Sequence, residues 1–123
     1  MSKSFLVIDD SKVSRMFIRR FISELKPDWQ LSEAANGSEA LQLVAQNNFD
    51  FISIDYNMPD MNGLELSQAI RELQPDSFIG LVTANIQKST ELAAQQLGLN
   101  YYKKPVTEEM VRLLVTDAEN HHG

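Results

Sequence analysis

The chain has 123 residues, 43% hydrophobic side chains, no cysteine and a net charge of −6. The length predicts one domain over 1–123, with a core of its own and no output domain. The missing cysteines exclude disulfides and thiolate metal sites, the acidic balance argues against direct nucleic-acid binding, and no apolar run approaches a membrane span.

The first residues form no secretory signal, so the cytoplasm is the expected compartment. Phe5-Leu6-Val7-Ile8 is a short apolar run, the length of a buried strand, and it stops at Asp9-Asp10. Ser11 suits a helix cap, with Val13, Met16, Phe17, Phe21 and Leu25 at helical spacing behind it. Lys26-Pro27 ends that helix. Trp29 to Ala34 alternates weakly, as a second strand. Asn36-Gly37 is a turn, and Ser38 caps a second helix with Ala40, Leu41, Val44 and Ala45 on one face.

Phe51 to Ile54 is a third apolar run rich in β-branched residues, and it ends at Asp55. Pro59, Asp60, Asn62 and Gly63 supply turn chemistry. Leu64 to Leu73 is a third helix, carried by Leu66, Ala69, Ile70 and Leu73 and broken at Pro75-Asp76. Phe78 to Val82 is a fourth strand ending at Thr83. Ile86 to Leu97 is a fourth helix stopped by Gly98. Tyr101 to Lys103 is a short fifth strand, followed by Lys104-Pro105. Thr107 caps a fifth helix whose first turn holds Glu108 and Glu109, and 120–123 are expected to fray.

Strands alternating with helices predict an α/β fold, a parallel sheet with helices on both faces and right-handed crossovers. All carboxyl ends then lie on one edge, where open α/β sheets bind ligands. That edge gathers Asp9, Asp10, Asp55, Thr83 and Lys104. Three neighbouring carboxylates repel unless a cation joins them. Without thiols or a nearby histidine, the fitting cation is hard and oxygen-loving, and Mg²⁺ suits carboxylates plus a backbone carbonyl. Lys104 adds a point charge, Thr83 a hydroxyl, and Asp55 a nucleophile, a set suited to phosphoryl transfer through an aspartyl phosphate. Singly, each residue has an ordinary reading: Asp9 as a cap, Lys104-Pro105 as loop punctuation, Thr83 as a strand terminus. Their conjunction carries the inference.

The motifs V-I-D-D at 7–10, I-D-Y-N-M-P-D-M-N-G at 54–63, V-T-A at 82–84 and K-P at 104–105 make the chain resemble a response-regulator receiver domain of the CheY-like, single-domain type. The likeness covers essentially the whole chain. It implies the flavodoxin-like strand order 2-1-3-4-5, for which CheY-like receivers are an established example. It implies Asp55 as phosphoacceptor, with Mg²⁺ on Asp10, Asp55 and the backbone carbonyl of Asn57, and Asp9 acting through water. By the same resemblance Lys104 pairs with the phosphoryl group, Thr83 bonds it after transfer, and the Lys104-Pro105 peptide is cis. Thr83 would couple to Tyr101, turning it inward and biasing a surface of fourth helix, fifth strand and fifth helix. An ordinary edge-strand role is the competing reading of Tyr101.

The implied partners are a histidine kinase or phosphotransfer protein and a downstream protein target. The implied role is a signalling protein that catalyses its own phosphorylation and autodephosphorylation. One residue is missing between Gly98 and Tyr101 relative to the common receiver pattern. Asn57 and Asn85 stand where receivers tune phosphoryl lifetime, and neither amide is a strong base. Lys12, Arg15, Arg19 and Arg20 form a basic run on the first helix, read as a solvated face or a partner surface. Two other functions compete. A phosphatase with an Asp nucleophile would want an acid two residues on, where Asn57 stands. A phosphorylation-independent interaction module has no need of Asp55, Lys104 and Thr83.

Overall fold

The apolar runs become strands in a computed structural model that describes residues 3–84 and 87–121. The elements are β1 (Ser4–Ile8), α1 (Lys12–Leu25), β2 (Gln30–Ala34), α2 (Gly37–Gln46), β3 (Phe51–Asp55), α3 (Gly63–Leu73), β4 (Phe78–Thr83), α4 (Lys88–Gln96), β5 (Asn100–Lys103) and α5 (Glu108–His121). The sheet order is β2-β1-β3-β4-β5 and every pairing is parallel. β3 and β4 are buried along their whole length, as expected where helices cover both faces of a parallel sheet.

Side chains alternate across a strand, and here the alternation sorts the core into two clusters. Phe5, Val7, Phe51, Phe78, Val82 and Tyr102 pack against α1 and α5. Leu6, Ile8, Ile52, Ile54, Ile79 and Leu81 pack against α2, α3 and α4. The β4 backbone at Gly80 has no room for a side chain. A Cβ there would meet Leu114 Cδ1 at 2.8 Å and Tyr102 Cε2 at 2.9 Å.

The structure corrects several sequence expectations. The inward residues of α1 are Ile18 and Ile22, with Phe21 and Leu25 half-buried beside them. Val13, Met16 and Phe17 face outward, and Met16 is 55% exposed. Ser11 does cap α1, accepting from the Ser14 amide at 3.2 Å. In α2 the cap is Asn36, which accepts from the Glu39 amide at 2.8 Å, and Ser38 lies inside the helix. Ala45 and Leu73 are exposed rather than core-facing. α4 begins at Lys88; Ile86 and Asn85 lie outside the described residues. Gly98 stops α4 with a φ of 71°, a conformation that favours glycine. Thr107 caps α5 through the Met110 amide. Asn120 and His121 continue α5 instead of fraying, with the His121 ring against Phe78; 122–123 lie outside the described residues.

Gln74, just past α3, ties distant segments together. Its Nε2 donates to the Val44 and Asn47 carbonyls at 2.9 and 2.6 Å, and its Oε1 accepts from the Phe49 amide at 2.9 Å and the Ser77 hydroxyl at 3.0 Å. The side chain is buried, so removing it strands backbone groups away from water. Gln74→Ala is expected to destabilise the fold by about 3 kcal/mol. Urea unfolding checks this, and a loss below about 1 kcal/mol contradicts it.

Candidate acidic site at the carboxyl edge of the sheet

Asp55 is the last residue of β3 and only 4% exposed. Asp9 follows β1, where its amide extends the ladder to the Ala34 carbonyl, and it is 1% exposed. Asp10, next along, is exposed. One oxygen of each of the three carboxylates lies within 4.8 Å of the others. The Lys104 ammonium reaches in from the end of β5, 3.3 Å from Asp9 Oδ2 and 3.2 Å from Asp55 Oδ1. The Lys104 amide donates to the Thr83 carbonyl at 2.8 Å, and the Lys104–Pro105 peptide is cis. Thr83 closes β4 and is buried. The edge thus brings together Asp9, Asp10, Asp55, Thr83 and Lys104.

Tyr101 stands apart. It is partly exposed on β5, and its hydroxyl donates to Glu91 Oε1 at 2.7 Å. Tyr102 points to the other face and is buried, with its hydroxyl on Asp117 at 2.7 Å. Asn57 lies exposed in the loop after β3.

The electrostatics follow from burial. Desolvation first, then the neighbouring Asp9 charge, push the Asp55 carboxyl up to about 6, against the opposing pull of Lys104. Burial pushes the Lys104 ammonium down, but Asp55 and Asp9 outweigh it, so its pKa stands above the ordinary value. Asp9 Oδ1 accepts from the Ser11 amide at 2.9 Å. Asp9 Oδ2 is buried, with the ammonium as counter-charge but no hydrogen bond aligned on it. Three hard oxygens against one ammonium leave negative charge uncompensated. That donor set fits a small divalent cation with oxygen preference.

Two supports escaped the sequence reading. Arg15 is no solvated member of the basic run. Its Nη1 donates to the Asp9 carbonyl at 2.6 Å and its Nε to Glu33 at 2.8 Å, so α1 holds the acid-bearing turn from behind. The only local signal was its position, within two turns of Asp9. The second support is the fastening of the β3–α3 loop. The Tyr56 amide donates to the Val82 carbonyl and the Gly63 amide to the Tyr56 carbonyl, both at 2.8 Å. A Cβ on Gly63 would lie 2.7 Å from the Asp55 carbonyl oxygen, so only glycine permits this closure. Asp60 sits in the bend of this loop as expected and also reaches α2, its two oxygens 3.1 Å from the amides of Gly37 and Ser38.

Comparison with known proteins gives this arrangement a context. Residues 5–116 match the family model of the response regulator receiver domain. Over 110 residues the chain is 33% identical to the chemotaxis protein CheY of Pseudomonas aeruginosa, spanning 87% of this chain and 88% of that one. The backbone matches a CheY-like receiver domain protein from Methanospirillum hungatei with a TM-score of 0.90 at 20% identity, over 99% of this chain and 98% of that one. It also matches a Burkholderia pseudomallei response regulator whose crystal structure holds a phosphorylated aspartic acid, a calcium ion and citrate. There the TM-score is 0.82 at 31% identity, over 98% of this chain and 71% of that one.

The raised Asp55 pKa sets the sign of a stability effect. Between the ordinary 3.8 and about 6, the folded state binds this proton more tightly than the unfolded state. This group therefore makes the metal-free protein less stable as pH rises through that window. Asp55→Asn is expected to flatten that part of the profile and to be the more stable protein at pH 7. Urea melts from pH 4 to 7 without divalent ions check this; a variant less stable than the parent at pH 7 contradicts it.

Proposed function

The chain belongs to the response regulator receiver domain family of two-component systems, and from that premise we propose that Asp55 is its phosphoacceptor. The observation that supports this best is the meeting of Asp9, Asp10 and Asp55 with the Lys104 ammonium at one sheet edge. In this reading Asp10, Asp55 and the Asn57 backbone carbonyl hold Mg²⁺, with Asp9 acting through water. The bound ion supplies positive charge toward the oxygens of the transferring group.

The chain's own residues do the rest. An Asp55 oxygen forms the bond to phosphorus while the phosphorus–nitrogen bond of a donor histidine breaks, its electron pair staying with the imidazole. Lys104, already against Asp55, pairs with the incoming phosphoryl oxygens. The Thr83 hydroxyl then donates to a phosphoryl oxygen. Tyr101 leaves Glu91 and turns inward, which biases the surface of α4, β5 and α5 toward a downstream protein target. The protein thereby catalyses its own phosphorylation; in the later autodephosphorylation a water oxygen bonds to phosphorus as the bond to Asp55 breaks, which returns the carboxylate and inorganic phosphate.

The donor is a histidine kinase or phosphotransfer protein. α1 offers it an outward apolar face of Val13, Met16 and Phe17. That face adjoins a groove of about 500 Å³ lined by Ser14, Phe17, Ala84, Lys104, Pro105 and Val106, which opens beside the acid site. The reading places the protein in the cytoplasm. Among the described residues, no helix is long and apolar enough to cross a membrane.

Acetyl phosphate with Mg²⁺ is expected to add one phosphoryl group, seen by intact mass, and Asp55→Asn to abolish the addition. Labelling of that variant at the parental rate sinks the assignment. Phe17→Asp is expected to slow transfer from a protein donor at least tenfold, about 1.4 kcal/mol of docking energy, while leaving acetyl phosphate labelling unchanged. Equal slowing with both donors would place Phe17 in the chemistry rather than in docking.

A further inference from the structure

The loop from Tyr56 to Asn62 carries Asn57, and its ends are fastened by backbone bonds to β4 and within itself. Asn62 caps α3 through the Glu65 amide at 2.8 Å. The middle of the loop is fastened differently. The first amides of a helix have no acceptor inside it. In α2 the Glu39 amide goes to Asn36, but the Gly37 and Ser38 amides go to Asp60, far along the chain. Each oxygen of one carboxylate takes one amide at 3.1 Å, at the helix end whose partial charge favours an anion. These amides, Gly37 first, hold the Asp60 carboxyl below its ordinary pKa. The approach is close. A Cβ on Gly37 would lie 3.3 Å from Met61 Cβ and Sδ, and 3.4 Å from Asp60 Oδ2.

We propose that Asp60 is a positioning residue for the metal site, holding the β3–α3 loop on the N-terminus of α2 so that the Asn57 carbonyl is presented to the ion. Only residues 57–59 separate the backbone bonds of Tyr56 from the Asp60 anchor. So short a span between two fixed points leaves the Asn57 carbonyl few directions. A ligand oriented before binding spares the ordering cost that a free loop incurs on binding. The proposal rests on the reading of Asn57 as a metal ligand. It extends the site to α2, an element that contributes no ligand.

The test is Mg²⁺ titration of the full chain by calorimetry, with amide hydrogen exchange on the metal-free protein. Asp60→Ala is expected to weaken Mg²⁺ affinity about tenfold, in the range that supporting groups of metal ligands command. It is also expected to deprotect the Gly37 and Ser38 amides. Asp60→Asn removes the charge yet keeps one acceptor oxygen, so its affinity is expected to fall between those of Asp60→Ala and the parent. Parental affinity in Asp60→Ala, whatever its melting temperature, overturns the proposal. So does Asp60→Asn as weak as Asp60→Ala while its Gly37 and Ser38 amides stay protected, which would make charge and not position the cause. Absence of Mg²⁺ binding by the parent is a different failure, because it removes the metal reading itself and this inference with it.

Discussion

Two carboxylates buried side by side need a counter-charge, and Lys104 provides it. Its ammonium sits at nearly equal distance from Asp9 and Asp55. Burial alone drives the Asp55 carboxyl toward its neutral form, and the second acid drives it further. The ammonium offsets part of that cost without cancelling it, because Asp10 brings a third acid to the same spot. An edge left short of positive charge has the donor set that a small divalent cation would fit. The backbone that carries this side chain is held at the sheet edge by the Lys104 amide on the Thr83 carbonyl. Chemistry and sheet edge are therefore one structure.

The alternation of the strands divides the labour. Asp55 continues the row of Phe51 and Ser53, and Asp9 the row of Phe5 and Val7, on the face covered by α1 and α5. Thr83 continues the row of Ile79 and Leu81, on the face covered by α2, α3 and α4. Tyr101 pairs in register with Leu81 and shares that second face. A group built on Asp55 would stand at the rim between the two faces. A response at Thr83 and Tyr101 would then fall on the α4 side, away from α1. A change of surface would thus begin on the α4 side and reach the α1 side only through α5, which packs beside α1.

Much of this was legible in the residues, for physical reasons. Buried parallel strands are continuous apolar runs, and each run here ends abruptly in a polar group, so fold and acidic edge appear together. The errors share a different cause. α1 carries two overlapping apolar stripes, and helical periodicity cannot say which one the sheet covers. The sheet took Ile18 and Ile22 and left Val13, Met16 and Phe17 outside. Asn36 and Ser38 are both good caps. The deciding clue was Glu39, three residues after Asn36, whose side chain reaches back to the Ala35 amide. Gln74 and Asp60 bond to segments remote in sequence, and nothing in their neighbours announces it; Arg15 is near Asp9 in sequence, but only the fold aims its guanidinium there. Local chemistry shows which groups want partners, and only the folded chain shows which partners they find.

The single tryptophan has a use that follows from its address. Trp29 packs on Phe51 at 4.8 Å between ring centroids and on Phe5 at 6.3 Å, at the amino ends of β3 and β1. The acids lie at the other ends, four residues along each strand, or about 13 Å away. Indole emission excited beyond the tyrosine band therefore reports first on whether the aromatic floor is intact. Tyr56, adjoining Asp55, is the aromatic ring placed at that rim, so the floor and the rim of the sheet each carry their own ring.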